Sequence, residues 1–87
     1  MATVWIPSLL RPLTSGQRQV TASGATIGEL IDSLEASYPG IRERLCTGDR
    51  LQSSIAIAVD GVTATNGLLE PVRPDSEVHI VPAIGGG

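Results

Sequence analysis

The sequence contains no lysine: its six basic residues are all arginines, at positions 11, 18, 42, 44, 50 and 73. The only primary amine in these residues is therefore the α-amino group of Met1, although a composition that favours arginine codons gives the same result. There is one cysteine, Cys46, which cannot form a disulfide within the chain, so stability is left to packing. In Leu45-Cys46-Thr47-Gly48 it reads better as a half-buried small apolar side chain than as a nucleophile. No run approaches the ~18 apolar residues of a membrane span. Met-Ala-Thr-Val-Trp at the start lacks the charge and the long apolar stretch of a signal peptide. A cytoplasmic chain without membrane contact is expected. Nine acidic residues against six basic ones leave a net charge of −3, interspersed and without a basic stripe. Nucleic acid is thus not an expected partner. At 87 residues the chain predicts a single domain, 1–87, with one core.

What is present is a chain of short, well-punctuated segments. Thr3-Val4-Trp5-Ile6-Pro7 alternates as a strand does, Val4 and Ile6 on one face and Thr3 and Trp5 on the other. Leu9, Leu10 and Leu13 follow among Pro7 and Pro12, and Thr14-Ser15-Gly16 is turn chemistry. Gln17 to Ala22 reads as a second strand, antiparallel to the first across this irregular loop. Thr26-Ile27-Gly28-Glu29 predicts a helix start, threonine and glutamate each satisfying the other's backbone donor. Ile27, Leu30, Ile31, Leu34 and Tyr38 then form one apolar stripe, leaving Glu29, Asp32, Ser33 and Glu35 to water. Pro39-Gly40 stops the helix. Ile41 to Leu45 predicts a further helical turn, with Arg42, Glu43 and Arg44 solvated. Thr47 to Gln52 reads as loop.

Ser54 to Val59 alternates again, Ile55, Ile57 and Val59 toward the core and Ser54, Ala56 and Ala58 opposite. Asp60-Gly61 is a two-residue turn leading into a short return strand from Val62. The last strand spans Glu77 to Val81, with Val78 and Ile80 on one face and His79 and Val81 on the other. The first and last strands are both apolar and lack partners in sequence. Pairing them in parallel at the centre of a mixed sheet of four to five strands, packed on one main helix, buries most. That is an α+β, β-grasp (ubiquitin-like) plan.

After Val81 the side chains dwindle through Pro82-Ala83-Ile84 to Gly85-Gly86-Gly87. Glycines lose the most backbone freedom on ordering, so a flexible tail over 83–87 is expected. Extended, it reaches roughly 16 Å at about 3.3 Å per residue and has no Cβ to obstruct a narrow channel. It delivers an α-carboxylate that is a poor electrophile until activated. A frayed terminus without function is the alternative.

Ile6-Pro7, Leu10-Arg11-Pro12, Gly16-Gln17, Ala22-Ser23-Gly24, Asp32-Ser33-Leu34-Glu35-Ala36, Gly40-Ile41-Arg42-Glu43-Arg44-Leu45 and Pro82-Ala83-Ile84 before Gly86-Gly87 together resemble the ubiquitin-like sulfur carriers of the ThiS/MoaD superfamily, and most closely the CysO type. The family often has another small residue where Gly85 stands, and the Thr47 to Ser53 loop is shorter than in close relatives. The resemblance implies a sulfur carrier, a co-substrate rather than an enzyme, that binds no cofactor or metal itself. An E1-like enzyme using ATP would adenylate the Gly87 carboxylate and convert it to a thiocarboxylate. A sulfur-accepting synthase, pyridoxal-phosphate-dependent in cysteine-forming systems, would consume it, and a metalloprotease would release the product. Gly86 and Gly87 would be needed for access, with Ile84 and Gly85 seating the tail. On the sheet face away from the helix, Ala58, His79 and Val81 would meet these partners. No second histidine or clustered carboxylate suggests a metal-binding or basic role for His79. Trp5 falls on the same face by alternation and equally suits packing on the Leu9 to Leu13 loop.

Overall fold

A computed structural model describes residues 1–82. The expectations for Ile84, Gly85, Gly86 and Gly87, and for a flexible tail over 83–87, fall outside the described residues. Within them run the strands β1 (Ala2–Trp5), β2 (Gln19–Ala22), β3 (Cys46–Thr47), β4 (Arg50–Leu51), β5 (Ile55–Val59), β6 (Val62–Thr63) and β7 (Glu77–Pro82). The helices are α1 (Ile27–Ser37) and α2 (Ile41–Leu45), with 3-10 turns at Ser8–Thr14 and Gly67–Leu69.

The main sheet has the order β2-β1-β7-β5-β6. β1 and β7 lie side by side in parallel, Thr3 opposite Glu77, Val4 opposite Val78 and Trp5 opposite His79. Every other pair in it is antiparallel. This is the expected β-grasp, and burial explains it. Val4, Val78, Ile80 and Ile57 point inward from the three central strands and join Ile27, Leu30, Ile31 and Leu34 of α1 in one buried cluster. Each such side chain contributes about 1.5–3 kcal/mol by leaving water, so the two most apolar strands are drawn to the middle.

The helix start is close to the expected one, with one correction. The Glu29 N–H donates to Thr26 Oγ1 (3.2 Å), but the Glu29 carboxylate accepts from the N–H of Ala25 (3.0 Å), not of Thr26. Just before it, a Cβ on Gly24 would stand 2.6 Å from the Leu30 backbone nitrogen, so only glycine lets the incoming chain pass so close to α1. At the far end Gly40 takes φ +101°, a left-handed geometry that glycine adopts without strain, and turns the chain into α2.

Three further expectations are corrected. Glu35 and Ser33 do not simply face water. The Glu35 carboxylate accepts the N–H groups of Gly40 (3.1 Å) and Arg42 (2.9 Å), capping α2 from a neighbouring helix, and these bonds hold its pKa below the usual value. Ser33 donates its hydroxyl to the Ser23 carbonyl (2.6 Å). Arg42 is half-buried and paired with Asp32 (2.6 Å), so it is not a freely solvated side chain. The stretch after α2 is not loop throughout: β3 and β4 form a small hairpin, Cys46 opposite Leu51 and Thr47 opposite Arg50. The irregular connection around Pro12 is a 3-10 helix with buried Leu10 and Thr14, and Pro12 lies inside it. The Asp60-Gly61 turn is as expected, φ +52° and +86° at its two residues.

Candidate functional site

Alternation along β7 sends Val78 and Ile80 into the core and His79 and Val81 out to solvent on the face away from α1. The registers then decide what stands beside them. Gln19, Trp5, His79, Ala58 and Thr63 form one row across β2, β1, β7, β5 and β6. Val81 sits opposite Ala56 in the next row toward the end of β7. On the other side of the Trp5 row lie Thr21, Thr3 and Glu77. The outer face is therefore polar where β7 begins and becomes apolar and aromatic where it ends, at the root of residues 83–87.

Trp5 and His79 stack with ring centroids 5.5 Å apart and planes inclined by 5°. Trp5 thus packs on His79, which decides between the two environments open to it from sequence. Together with Val81 the pair makes a flat surface, Trp5 36% and Val81 48% exposed, with the alanines leaving it shallow. Ala58 and Ala56 are half-buried between their strand neighbours. Shape and composition suit docking rather than chemistry. Among the described residues no group of three or more His, Cys, Asp or Glu stands close enough to hold a metal.

The beginning of β7 is built differently. Asp60, at the β5–β6 turn, accepts the Glu77 N–H (2.9 Å) and the Ser76 hydroxyl (2.8 Å), while Ser76 Oγ accepts the Arg73 N–H (3.0 Å). These bonds, the Glu77 N–H foremost, hold the Asp60 carboxyl below its usual pKa. The strand thus enters the sheet through a polar clamp. It leaves beside an apolar groove lined by Leu9, Leu10, Arg44, Ser54, Ile55 and Pro82. Local sequence marks Asp60 as an acidic turn residue, but its reach to Ser76 and Glu77, like the groove, is set by tertiary packing. Cys46 is buried at 7% exposure, and that burial raises its thiol pKa.

Of the residues expected to meet partners, Ala58, His79 and Val81 share this one face. Comparison with known proteins gives the surface a context. A family model described as ThiS family matches residues 4–87. The sulfur carrier protein CysO of Mycobacterium tuberculosis is 42% identical over 90 residues, covering 98% of this chain and 97% of that one. Its crystal structure superposes with a TM-score of 0.90 at 39% identity, covering 97% of this chain and all of that one. A chain in the Amycolatopsis orientalis BexX/CysO complex gives a TM-score of 0.95 at 36% identity with full coverage of both. Small archaeal modifier protein 1 of Methanosarcina acetivorans gives 0.81 at 25% identity over 99% of this chain and 95% of that one.

Proposed function

The chain belongs to the ThiS family, and from that premise we propose that it is a sulfur carrier whose last residue, Gly87, is the cargo-bearing group. The observation that carries the reading is similarity along essentially the whole chain to a protein named as a sulfur carrier. The geometry supports it: the apolar end of the outer face, with Trp5, Ala58, His79 and Val81, lies where β7 gives way to the tail. A partner that grips this face receives the tail beside it.

In this reading an E1-like enzyme binds the face, and an oxygen of the Gly87 carboxylate attacks the α-phosphate of ATP, releasing pyrophosphate. A sulfur donor attacks the resulting acyl carbon, AMP leaves, and a thiocarboxylate remains. A sulfur-accepting synthase, in cysteine formation a pyridoxal-phosphate enzyme, uses it as the nucleophile, and a metalloprotease frees the product. ATP and pyridoxal phosphate belong to the partners. The carrier acts as co-substrate, with Gly86 and Gly87 giving access and Ile84 and Gly85 seating the tail. Thiamine, molybdopterin or a sulfur-containing secondary metabolite are alternative destinations.

Likeness to a small archaeal modifier protein favours a second reading, attachment of Gly87 to amines of other proteins. Intact mass spectrometry of the protein from its native cell separates the two. Replacement of one terminal oxygen by sulfur is expected for the carrier, and discrete protein conjugates for the modifier. Removal of Gly87 is expected to leave a folded protein that accepts no sulfur; undiminished transfer by that variant rejects the proposal.

A further inference from the structure

An activated C-terminal acyl group is consumed by any good nucleophile it can touch, and the nearest candidates are those of its own chain. The sequence supplies no lysine, and its arginines carry guanidinium groups that stay protonated and do not acylate at neutral pH. The structure removes the two strong nucleophiles that remain. Cys46 is buried, and its thiol is pushed up by that burial, away from the reactive thiolate. Met1 is exposed but lies at the wrong end of the sheet. Because β1 runs parallel to β7 with Thr3 opposite Glu77, Met1 stands level with Asp75. From there to Pro82 is about seven residue steps, roughly 23 Å at the strand rise. Residues 83–87 span at most roughly 16 Å. The two ends also border different hollows, Met1 with Val72 and Pro74, and Pro82 with Leu9 and Arg44.

We propose that the fold and the absence of lysine together let the chain carry an activated Gly87 acyl group without conjugating it to itself, so that the accepting nucleophile must come from a second molecule. This rests on the reading of Gly87 as the group that is activated. The step that is suppressed is an internal aminolysis. An amine lone pair attacks the Gly87 acyl carbon, the bond to AMP breaks, the amine proton passes to solvent, and an amide closes a ring. Parallel pairing of the first and last strands is what keeps the α-amine from this end. His79, on the face beside the tail, is the remaining exposed nitrogen base, and acylation there ends in hydrolysis rather than in a stable conjugate.

The test uses the full chain bearing a chemically installed C-terminal thioester of a small thiol, held in dilute solution at mildly alkaline pH and followed by intact mass. The unaltered protein is expected to end as the hydrolysed acid. Arg44→Lys, an exposed position bordering the same groove as Pro82, is expected to yield an internal amide, one water lighter than the acid, roughly a hundredfold faster. Arg73→Lys, before β7 at the far end, is expected to behave like the unaltered chain. Formation of an internal Met1–Gly87 amide in the unaltered protein overturns the proposal. So does failure of Arg44→Lys to cyclise, or equal cyclisation by Arg73→Lys. The thioester is installed chemically, so none of these outcomes bears on sulfur loading in the cell, which the native mass decides separately.

Discussion

The two faces of β7 are made by alternate residues of one short strand, yet they serve opposite ends. Val78 and Ile80, 1% and 5% exposed, lock the strand between β1 and β5 and onto α1. His79 and Val81 contribute little to that packing and hold a flat surface open toward the tail. On the proposed function, a carrier handed between enzymes would need both: a body rigid enough to be recognised repeatedly, and a recognition surface whose exposure the core can tolerate. The contrast teaches that stability and docking can be separated here by a single step along the strand.

The sharpest way to break the comparison is on the inner face. Ile80→Ala is expected to lower unfolding free energy by about 2–5 kcal/mol, through lost burial and the cavity left behind; urea titration measures it. Gly24→Ala, at the close passage over α1, is expected to cost about 1–3 kcal/mol because backbone, not a flexible side chain, blocks the new methyl. The same titration checks it.

Acid probes the polar clamp at the start of β7 together with the carboxylate cap on α2. Asp60 and Glu35 both have pKa values lowered by backbone N–H bonds, so each contributes stability above the ordinary carboxylate range. That contribution is lost as pH falls through the folded values. Stability is therefore expected to be flat through neutrality and to drop on acidification below the usual carboxylate pKa. Asp60→Asn is expected to be less stable at neutral pH and to show a shallower acid loss, read from unfolding midpoints across pH.

The smallest expected effect on folding is on the outer face. On the proposed function, His79→Ala and Val81→Ser are expected to change stability by no more than about 1 kcal/mol, while weakening binding to the adenylating enzyme that reading implies, as measured by calorimetry. Equal losses of stability on the two faces would remove the distinction.

Much of this was legible in the chain. Alternation along Glu77 to Val81, the stripe Ile27, Leu30, Ile31 and Leu34, and the Asp60-Gly61 turn each follow from local chemistry, and each is observed. Along β5 only Ile57 is fully buried, while Ile55 and Val59 pack on the core but stay half-buried like Ala56 and Ala58. Legibility failed where a polar side chain found its partner far along the chain. Glu35 looked solvated by helical spacing, but the turn at Gly40 folds α2 back to place two N–H groups on its carboxylate. The β3–β4 hairpin was missed because each strand has only two residues, too few to show a period.

The residues alone determined which positions of the last strand alternate, where the helices begin and end, and that the chain holds no lysine. Only the tertiary structure decided that Trp5 meets His79, that Asp60 clamps the start of β7, and that Met1 lies at the far end of the sheet from Pro82. The reason is physical: periodicity is set by bonds between neighbouring residues, whereas strand order and register are set by which faces can be buried together, and that choice belongs to the whole chain at once.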